Sequence, residues 1–194
     1  MESLVQLDQE LTLWMNQHNP EVLNGFWGFL SSIPVWIPLY IFIGGFGIWR
    51  LGWKKGLLLI AACLLGLLFT DQLANLFKNG FMRLRPCHDA WMQNNGVLCP
   101  NGVSSGLYGF FSGHAANTFC YATIVWLGLQ LNDQEHNYTP LGIGLNLWAA
   151  LVSLSRVMLA AHYLGDILVG SLIGLAMGLA LSYGLRWVIV KAEV

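Results

Sequence analysis

Charge is what this sequence has least of. Nine Lys and Arg and ten Asp and Glu make up 10% of its 194 residues, against about 25% in a typical soluble domain. So few charges cannot solvate a globule of this size, and a free-standing water-soluble fold is excluded. The two signs nearly cancel, leaving a net charge of −1. The basic excess that a phosphate backbone selects is missing, and with it a role in binding nucleic acid. Residues 1–17 lack the basic start and continuous apolar centre of a secretory signal. No repeat, low-complexity tract or linker interrupts the chain, and its length fits one domain over 1–194.

What is abundant is apolar. Hydrophobic residues reach 56%, with 22 Gly and 9 Trp, and the mean hydropathy is +0.57. This composition predicts an all-α membrane protein. A spanning helix needs about 20 mostly apolar residues, and charge-free runs at 22–49, 56–70, 115–131, 137–155 and 167–185 supply five candidates. The first is longer than one span needs, and Pro34 and Pro38 interrupt it, so 20–33 reads as an interfacial piece leading into a span from about Pro34. A sixth span in the N-terminal third stays open. In 1–17, Leu4, Leu7, Leu11, Trp14 and Met15 recur at helical spacing among Glu2, Asp8 and Glu10. That pattern predicts an amphipathic helix at the interface or capping the bundle. The expected fold is therefore a bundle of about five to six helices, with 1–33 an interfacial segment and 56–190 the core.

Charges inside a bilayer are expensive, so those near span ends mark candidate sites. Three clusters stand out. In the first, Lys78 and Arg85 are seven apart, two helical turns, and Pro86 favours releasing Arg85 from the helix so that its guanidinium can take an anion. In the second, Ser112-Gly113-His114 opens the 115–131 span. Ser112 can cap that helix, whose unpaired amides suit a phosphate. In the third, Arg156 ends one span, while His162 and Asp166 stand at i,i+4, where the carboxylate can orient the imidazole. Alternating spans put all three clusters at one membrane interface. Cations, a helix start, two histidines and one carboxylate together predict a phosphoryl-transfer site. No His, Cys or carboxylate set has metal-ligand spacing, so neither a metal nor another cofactor is expected.

At these residues the chain resembles the type 2 phosphatidic acid phosphatase superfamily, which includes vanadium haloperoxidases and bacterial acid phosphatases. The family's Lys-x6-Arg-Pro is met by Lys78, Arg85 and Pro86. Its Pro-Ser-Gly-His is met by Ser112, Gly113 and His114, with Phe111 replacing the proline. Its Ser-Arg-x5-His-x3-Asp is met by Ser155, Arg156, His162 and Asp166. The resemblance implies that His162 attacks phosphorus to form a phosphohistidine, that Asp166 orients it, and that His114 serves the leaving oxygen and then water. It further implies that Lys78, Arg85, Arg156 and the Ser112–Gly113 amides hold the phosphate. Membrane embedding narrows the substrate to a lipid phosphate or diphosphate, such as undecaprenyl diphosphate, phosphatidylglycerol phosphate, phosphatidic acid or lipid A phosphate. A lipid phosphotransferase, or a non-enzymatic lipid-binding transporter or scaffold, are the alternatives.

The basic residues at span ends do not by themselves orient the protein, because Lys78, Arg83, Arg85 and Arg156 read mostly as ligands of a bound anion. Cys87 and Cys99, 12 positions apart in the one long loop, could form a disulfide in an oxidising compartment. That places the site on the periplasmic or extracellular face of a bacterial inner membrane. Cys63 and Cys120 read as buried apolar residues. Asp71, Asn75 and Lys78 share a helix face. Nothing in the sequence indicates an oligomeric state.

Overall fold

A computed structural model describes residues 2–100 and 106–192; residues 101–105, within the long loop, lie outside that set. Eight α-helices are present among the described residues: α1 (Glu2–Gln17), α2 (Asn24–Ser31), α3 (Ile37–Leu51), α4 (Trp53–Phe81), α5 (Ala90–Asn94), α6 (Gly113–Asn132), α7 (Thr139–Met158) and α8 (Leu164–Lys191). The first apolar run divides at its prolines. α2 ends at Ser31, a 3-10 turn carries Pro34, and Pro38 sits in the first turn of α3, where its missing N–H is harmless.

Among the described residues, four helices are long and apolar enough to cross a membrane: Ile33–Leu51, Trp53–Phe81, Thr139–Met158 and Leu164–Lys191. The expected 115–131 span is α6, long enough at 20 residues but less apolar than those four. It lies at the centre of the bundle, packed by α3, α4, α7 and α8, and Ala115, Ala116, Cys120, Ala122, Ile124 and Leu129 have no exposed surface. A helix surrounded by protein need not be lipophilic, only satisfied. Accordingly Thr118 and Thr123 donate to the carbonyls of His114 and Phe119, at 2.8 and 2.7 Å. The outer helices show the opposite pattern, exposing Ile41, Phe42, Leu64, Leu147 and Leu172, which suits contact with lipid tails.

α3 and α4 are separated by one residue, Gly52, whose φ of 80° is available to glycine at no steric cost. α4 is 29 residues long, or about 43 Å at 1.5 Å per residue. It therefore outruns a hydrocarbon layer of roughly 30 Å, and its last turns carry Asp71, Asn75 and Lys78 toward one interface. At the other interface Arg50 pairs with Asp133 at 2.7 Å and donates to the Tyr138 hydroxyl at 2.8 Å, tying two turns together.

α8 lies so close to α6 that Gly170 and Gly174 have no room for a side chain. A Cβ at Gly170 would stand 2.5 Å from the Ser112 carbonyl oxygen, and one at Gly174 would collide with that of Ala116. These are backbone atoms and cannot rotate away.

α1 docks with its polar stripe inward. Thr12 and Asn16 are fully buried, while Leu4, Leu7, Leu11 and Trp14 are exposed. Asn16 accepts from the Leu98 amide at 2.8 Å and donates to the carbonyls of Leu98 and Met158, each at 3.0 Å. The helix thus caps the bundle, and its apolar side faces away from it.

Gly174→Ala is expected to lower the thermal midpoint in detergent, by a destabilisation of about 1–3 kcal/mol typical of overpacking. Gly184→Ala, on the same helix with nothing within 4 Å of the added atom, should leave the midpoint unchanged.

Candidate active site

The site begins where α4 stops. Lys78 is in its last turn, and Met82 adopts a left-handed conformation with φ of 47°, turning the chain out of the helix. Residues 83–85 then run antiparallel to 107–109: the Arg85 amide donates to the Leu107 carbonyl at 3.0 Å, and the Gly109 amide to that of Arg83 at 2.9 Å. Arg85, before Pro86, is extended at φ −72° and ψ 156°, the region a following proline imposes. Its guanidinium is held by the carbonyls of Tyr108 (Nε, 3.1 Å) and Ala161 (Nη1, 3.4 Å). Burial presses on its charge and lowers its pKa, with Asp166 opposing that shift.

Ser112 caps α6. Its hydroxyl accepts from the Ala115 amide at 3.4 Å, and its own amide donates to the Asp166 carbonyl at 3.1 Å. The Gly113 and His114 amides, first in the helix, have no backbone partner among the described residues, leaving the positive end of α6 open to an anion. Phe111, where the family's proline stands, is fully buried against Ala74, Ala116 and Phe77, its ring 5.3 Å from that of Phe77. The ring holds the loop by packing.

Arg156 is in the last turn of α7. Ala160 then takes φ of 50°, and the amides of Ala161 and His162 both return to the Arg156 carbonyl, at 2.9 and 3.1 Å. That tight reversal brings His162 back beside Arg156. One guanidinium nitrogen of Arg156 bonds the Ser31 hydroxyl, and its buried Nε has no partner among the described residues. The same residue, Ser31, offers its carbonyl to His114 Nε2 at 3.2 Å.

His162 and Asp166 are both buried, at 2% and 0% exposure. Nδ1 of the imidazole is 3.3 Å from Asp166 Oδ2, so the ring's other nitrogen, Nε2, is the one left for the cavity. Asp166 Oδ2 also accepts from the Tyr163 amide at 3.1 Å, and Oδ1 from Arg83 at 2.8 Å. Burial drives the His162 pKa down to about 4; the bond to Asp166 resists, and Arg85 and Arg156 reinforce the fall. At neutral pH the ring is an uncharged base.

These pieces enclose a cavity of about 640 Å³ lined by Lys78, Arg85, Gly113, His114, Arg156 and His162, with Trp36, Tyr40, Leu67 and Leu68 forming an apolar wall. The structure thus brings six of the sequence-derived candidates around one space, with Ser112 and Asp166 directly behind them. Asp71 is on the same lining and accepts weakly from Asn75 at 3.5 Å. Cys87 and Cys99 are joined by a disulfide with Cα atoms 5.9 Å apart, in the loop that follows Arg85 and outside the cavity lining.

Two expectations are corrected. Arg83 is not available to a ligand: both terminal nitrogens are engaged by carboxylates, Asp8 at 2.7 Å and Asp166 at 2.8 Å. A set with metal-ligand spacing also exists, since ligand atoms of Asp133, Glu135 and His136 lie within 4.8 Å of one another. It sits at the opposite end of the bundle, and Arg50 bonds both Asp133 and His136, so a cation already fills that position. Sequence reasoning missed Asp8, Ser31 and Gly109. A Cβ at Gly109 would stand 3.1 Å from Arg85, 3.3 Å from Asp166 and 3.4 Å from His162. Only the acidic residue on the polar stripe of α1 gave any local sign of its use.

Comparison with known proteins gives the family and the fold. Residues 56–189 match the family model described as the PAP2 superfamily. A protein of Porphyromonas gingivalis named lipid A 4'-phosphatase is 29% identical over 181 residues, 92% of this chain and 72% of that relative. One of the same name from Bacteroides thetaiotaomicron is 32% identical over 180 residues, 90% of this chain and 75% of the relative. Among solved structures, a transmembrane PAP2-type phosphatidylglycerolphosphate phosphatase from Bacillus subtilis superposes with a TM-score of 0.72 at 23% identity, covering 93% of this chain and 85% of that one. LpxE of Aquifex aeolicus superposes with a TM-score of 0.61, also at 23% identity, over 89% and 92%. The two structures share the fold.

A histidine held neutral by the fold must gain a proton when the chain unfolds in acid. Its folded value, about 4, lies below the unfolded value of about 6.5. The stability it confers is thus complete above about pH 6.5 and is lost as pH falls toward 4. In histidine-labelled protein followed by NMR, the His162 ring should titrate near pH 4, and lower still in Asp166→Asn, which removes the charge that favours the imidazolium.

Proposed function

The chain belongs to the PAP2 superfamily, and from that footing we propose that it removes a phosphate monoester from a membrane glycolipid of the lipid A kind, through a phosphohistidine on His162. At the coarser level it is a membrane phosphatase acting on lipid phosphates. The observation that carries the phosphoryl-transfer reading is the cavity itself, in which Lys78, Arg85 and Arg156 share the lining with two imidazoles. A site that must stabilise charge spread over phosphate oxygens needs cations held rigidly in place, and phosphoryl transfer needs little else from the protein.

In this reading the phosphate enters with its oxygens toward the three cations and the open amides of Gly113 and His114. The lone pair on His162 Nε2 forms a bond to phosphorus as the bond from phosphorus to the lipid oxygen breaks. His114 gives its proton to that oxygen, and the dephosphorylated lipid departs. Water then attacks phosphorus, His114 takes its proton, the N–P bond breaks and inorganic phosphate leaves. Asp166 holds Nδ1–H throughout, which fixes the reactive tautomer and steadies the cationic ring. No metal takes part in these steps.

Two relatives named lipid A 4'-phosphatase support the glycolipid assignment. The apolar wall of Trp36, Tyr40, Leu67 and Leu68 supports a lipid substrate, because tails can stay in the bilayer while the phosphate reaches the cations. An outward, periplasmic site is favoured by two features. The Cys87–Cys99 disulfide is in the loop on the site's side, which suits an oxidising compartment. Lys54, Lys55, Arg186 and Lys191 are near the opposite ends of the helices, as expected for a cytoplasmic face.

The purified protein in detergent should release inorganic phosphate from phosphorylated lipid A faster than from phosphatidic acid or phosphatidylglycerol phosphate. His162→Ala should reduce release by ~10³-fold or more, and EDTA should leave the wild-type rate unchanged. Full activity in His162→Ala, or loss in EDTA reversed by a divalent ion, would overturn the mechanism. Faster turnover of the glycerol lipids would overturn the substrate assignment alone.

A further inference from the structure

Asp166 is a carboxylate with no exposed surface, and its imidazole partner, His162, is held uncharged. A buried anion without a countercharge is strongly destabilising, so its cation is the first thing to look for. That cation is Arg83, not one of the three lining the cavity. Arg83 Nη1 reaches Asp166 Oδ1 at 2.8 Å, Nη2 reaches Asp8 Oδ2 at 2.7 Å, and the guanidinium lies 3.9 Å over the Tyr163 ring.

Asp8 does more than complete the pair. Its second oxygen accepts from the Gly165 amide at 2.7 Å, and one turn along α1 the Thr12 hydroxyl accepts from the Leu164 amide at 2.9 Å. Leu164 and Gly165 are the first two residues of α8 and immediately precede Asp166. Those are the orphan amides that every helix start must satisfy. Here another helix satisfies them, one that precedes the matched region 56–189.

We propose that Asp8 and Arg83 are positioning residues that act through Asp166: α1 clamps both the backbone at the start of α8 and the carboxylate that orients His162. The chain runs Asp8, Arg83, Asp166, His162, with successive contacts of 2.7, 2.8 and 3.3 Å. None of the cavity cations forms an ion pair within this chain among the described residues, so the two residues govern turnover rather than phosphate binding. The inference rests on the phosphatase reading above and deepens it.

The charged and titratable groups around His162 are Asp166 from α8, Arg85 from the 82–89 segment, Arg156 from α7, His114 from α6 and Lys78 from α4, with Arg83 behind Asp166 and Asp8 of α1 behind Arg83. Removing a positive neighbour of Asp166 strengthens the carboxylate's hold on the imidazolium. Arg83→Gln should therefore move the acid limb of kcat/KM upward. Asp8→Asn removes a negative charge and should move it downward or leave it in place.

The test measures phosphate release from phosphorylated lipid A by the full chain in detergent, across pH, for wild type, Asp8→Asn, Arg83→Gln, Arg83→Lys and the double variant Asp8→Asn/Arg83→Gln, each checked by thermal unfolding. Loss of an outer partner of a reacting group typically lowers activity 10–100-fold. We expect kcat to fall about 10-fold in Asp8→Asn and up to about 100-fold in Arg83→Gln, with KM changed less than about twofold. Arg83→Lys should recover part of the loss, and the double variant should lose less than the product of the two single losses. Folded variants with unchanged kcat, a fall expressed in KM alone, or multiplicative losses would overturn the inference. If Arg83→Gln does not fold, Asp8→Asn and Arg83→Lys alone decide it by the same kcat and KM criteria. Absence of phosphate release by wild type would instead overturn the phosphatase reading.

Discussion

Positive charge in excess of the carboxylate beside it is the constraint around which the molecule is built: three cations share the cavity lining with Asp71 alone among acidic residues. Lys78, Arg85 and Arg156 face one cavity inside a bundle whose exterior is apolar, and each repels the others across a medium that screens them poorly. Such a group stays together only if the framework holds it. Carbonyls of Tyr108 and Ala161 grip Arg85, the Ser31 hydroxyl takes Arg156, and the left-handed Ala160 closes the turn that presents His162. The arrangement is poised for an oxyanion because an oxyanion is what relieves it. Preorganised charge of this kind destabilises the empty site and stabilises the occupied one.

The helices bring these groups together by close approach. Lipid provides no hydrophobic drive for one helix to meet another, so contact depends on small residues and satisfied polar groups. The Gly170 and Gly174 face of α8 lies against the backbone of α6. Because Ser112 is both the cap of α6 and the neighbour of Gly170, this approach also sets where the open amides at the start of α6 stand relative to Asp166. Packing in the middle of the bundle and geometry at its end are one property.

Much of the site is legible in the sequence because its chemistry is local. Lys78 with Arg85, Ser112 with His114, and His162 with Asp166 each lie within one helix end or turn, where spacing fixes which groups can meet. The segmentation of the membrane helices is legible for a similar reason, with Pro34 and Pro38 dividing the first run as their geometry requires. What spacing cannot show is long-range. Arg83 meets Asp8 across 75 positions and Asp166 across 83, and Arg156 meets Ser31 across 125. No periodicity encodes such pairings. Sequence alone accordingly groups Arg83 with the cavity cations, although two carboxylates take its donors. The orientation of α1 is ambiguous because an amphipathic pattern states that two faces differ, not which one meets protein. Here buried polar partners at the start of α8 outweigh what the leucines would gain from the bundle, and the leucines face outward.

That inversion bears on how a membrane enzyme can depend on its bilayer. The outer face of α1 presents Leu4, Leu7, Leu11 and Trp14, a stripe suited to the boundary between head groups and tails. Its inner face holds the amides and the arginine that steady the His162 carboxylate partner. On the proposed mechanism, the hydrophobic effect that seats this helix and the ion pair that orients the nucleophile are coupled through one rigid element. On that same mechanism, a substrate supplied from the interface would reach a site whose geometry is completed by a helix with an apolar face suited to that interface. On the proposed mechanism, selectivity for phosphates carried on lipids would follow from a cavity lined by both an apolar wall and cations, before any particular tail is recognised.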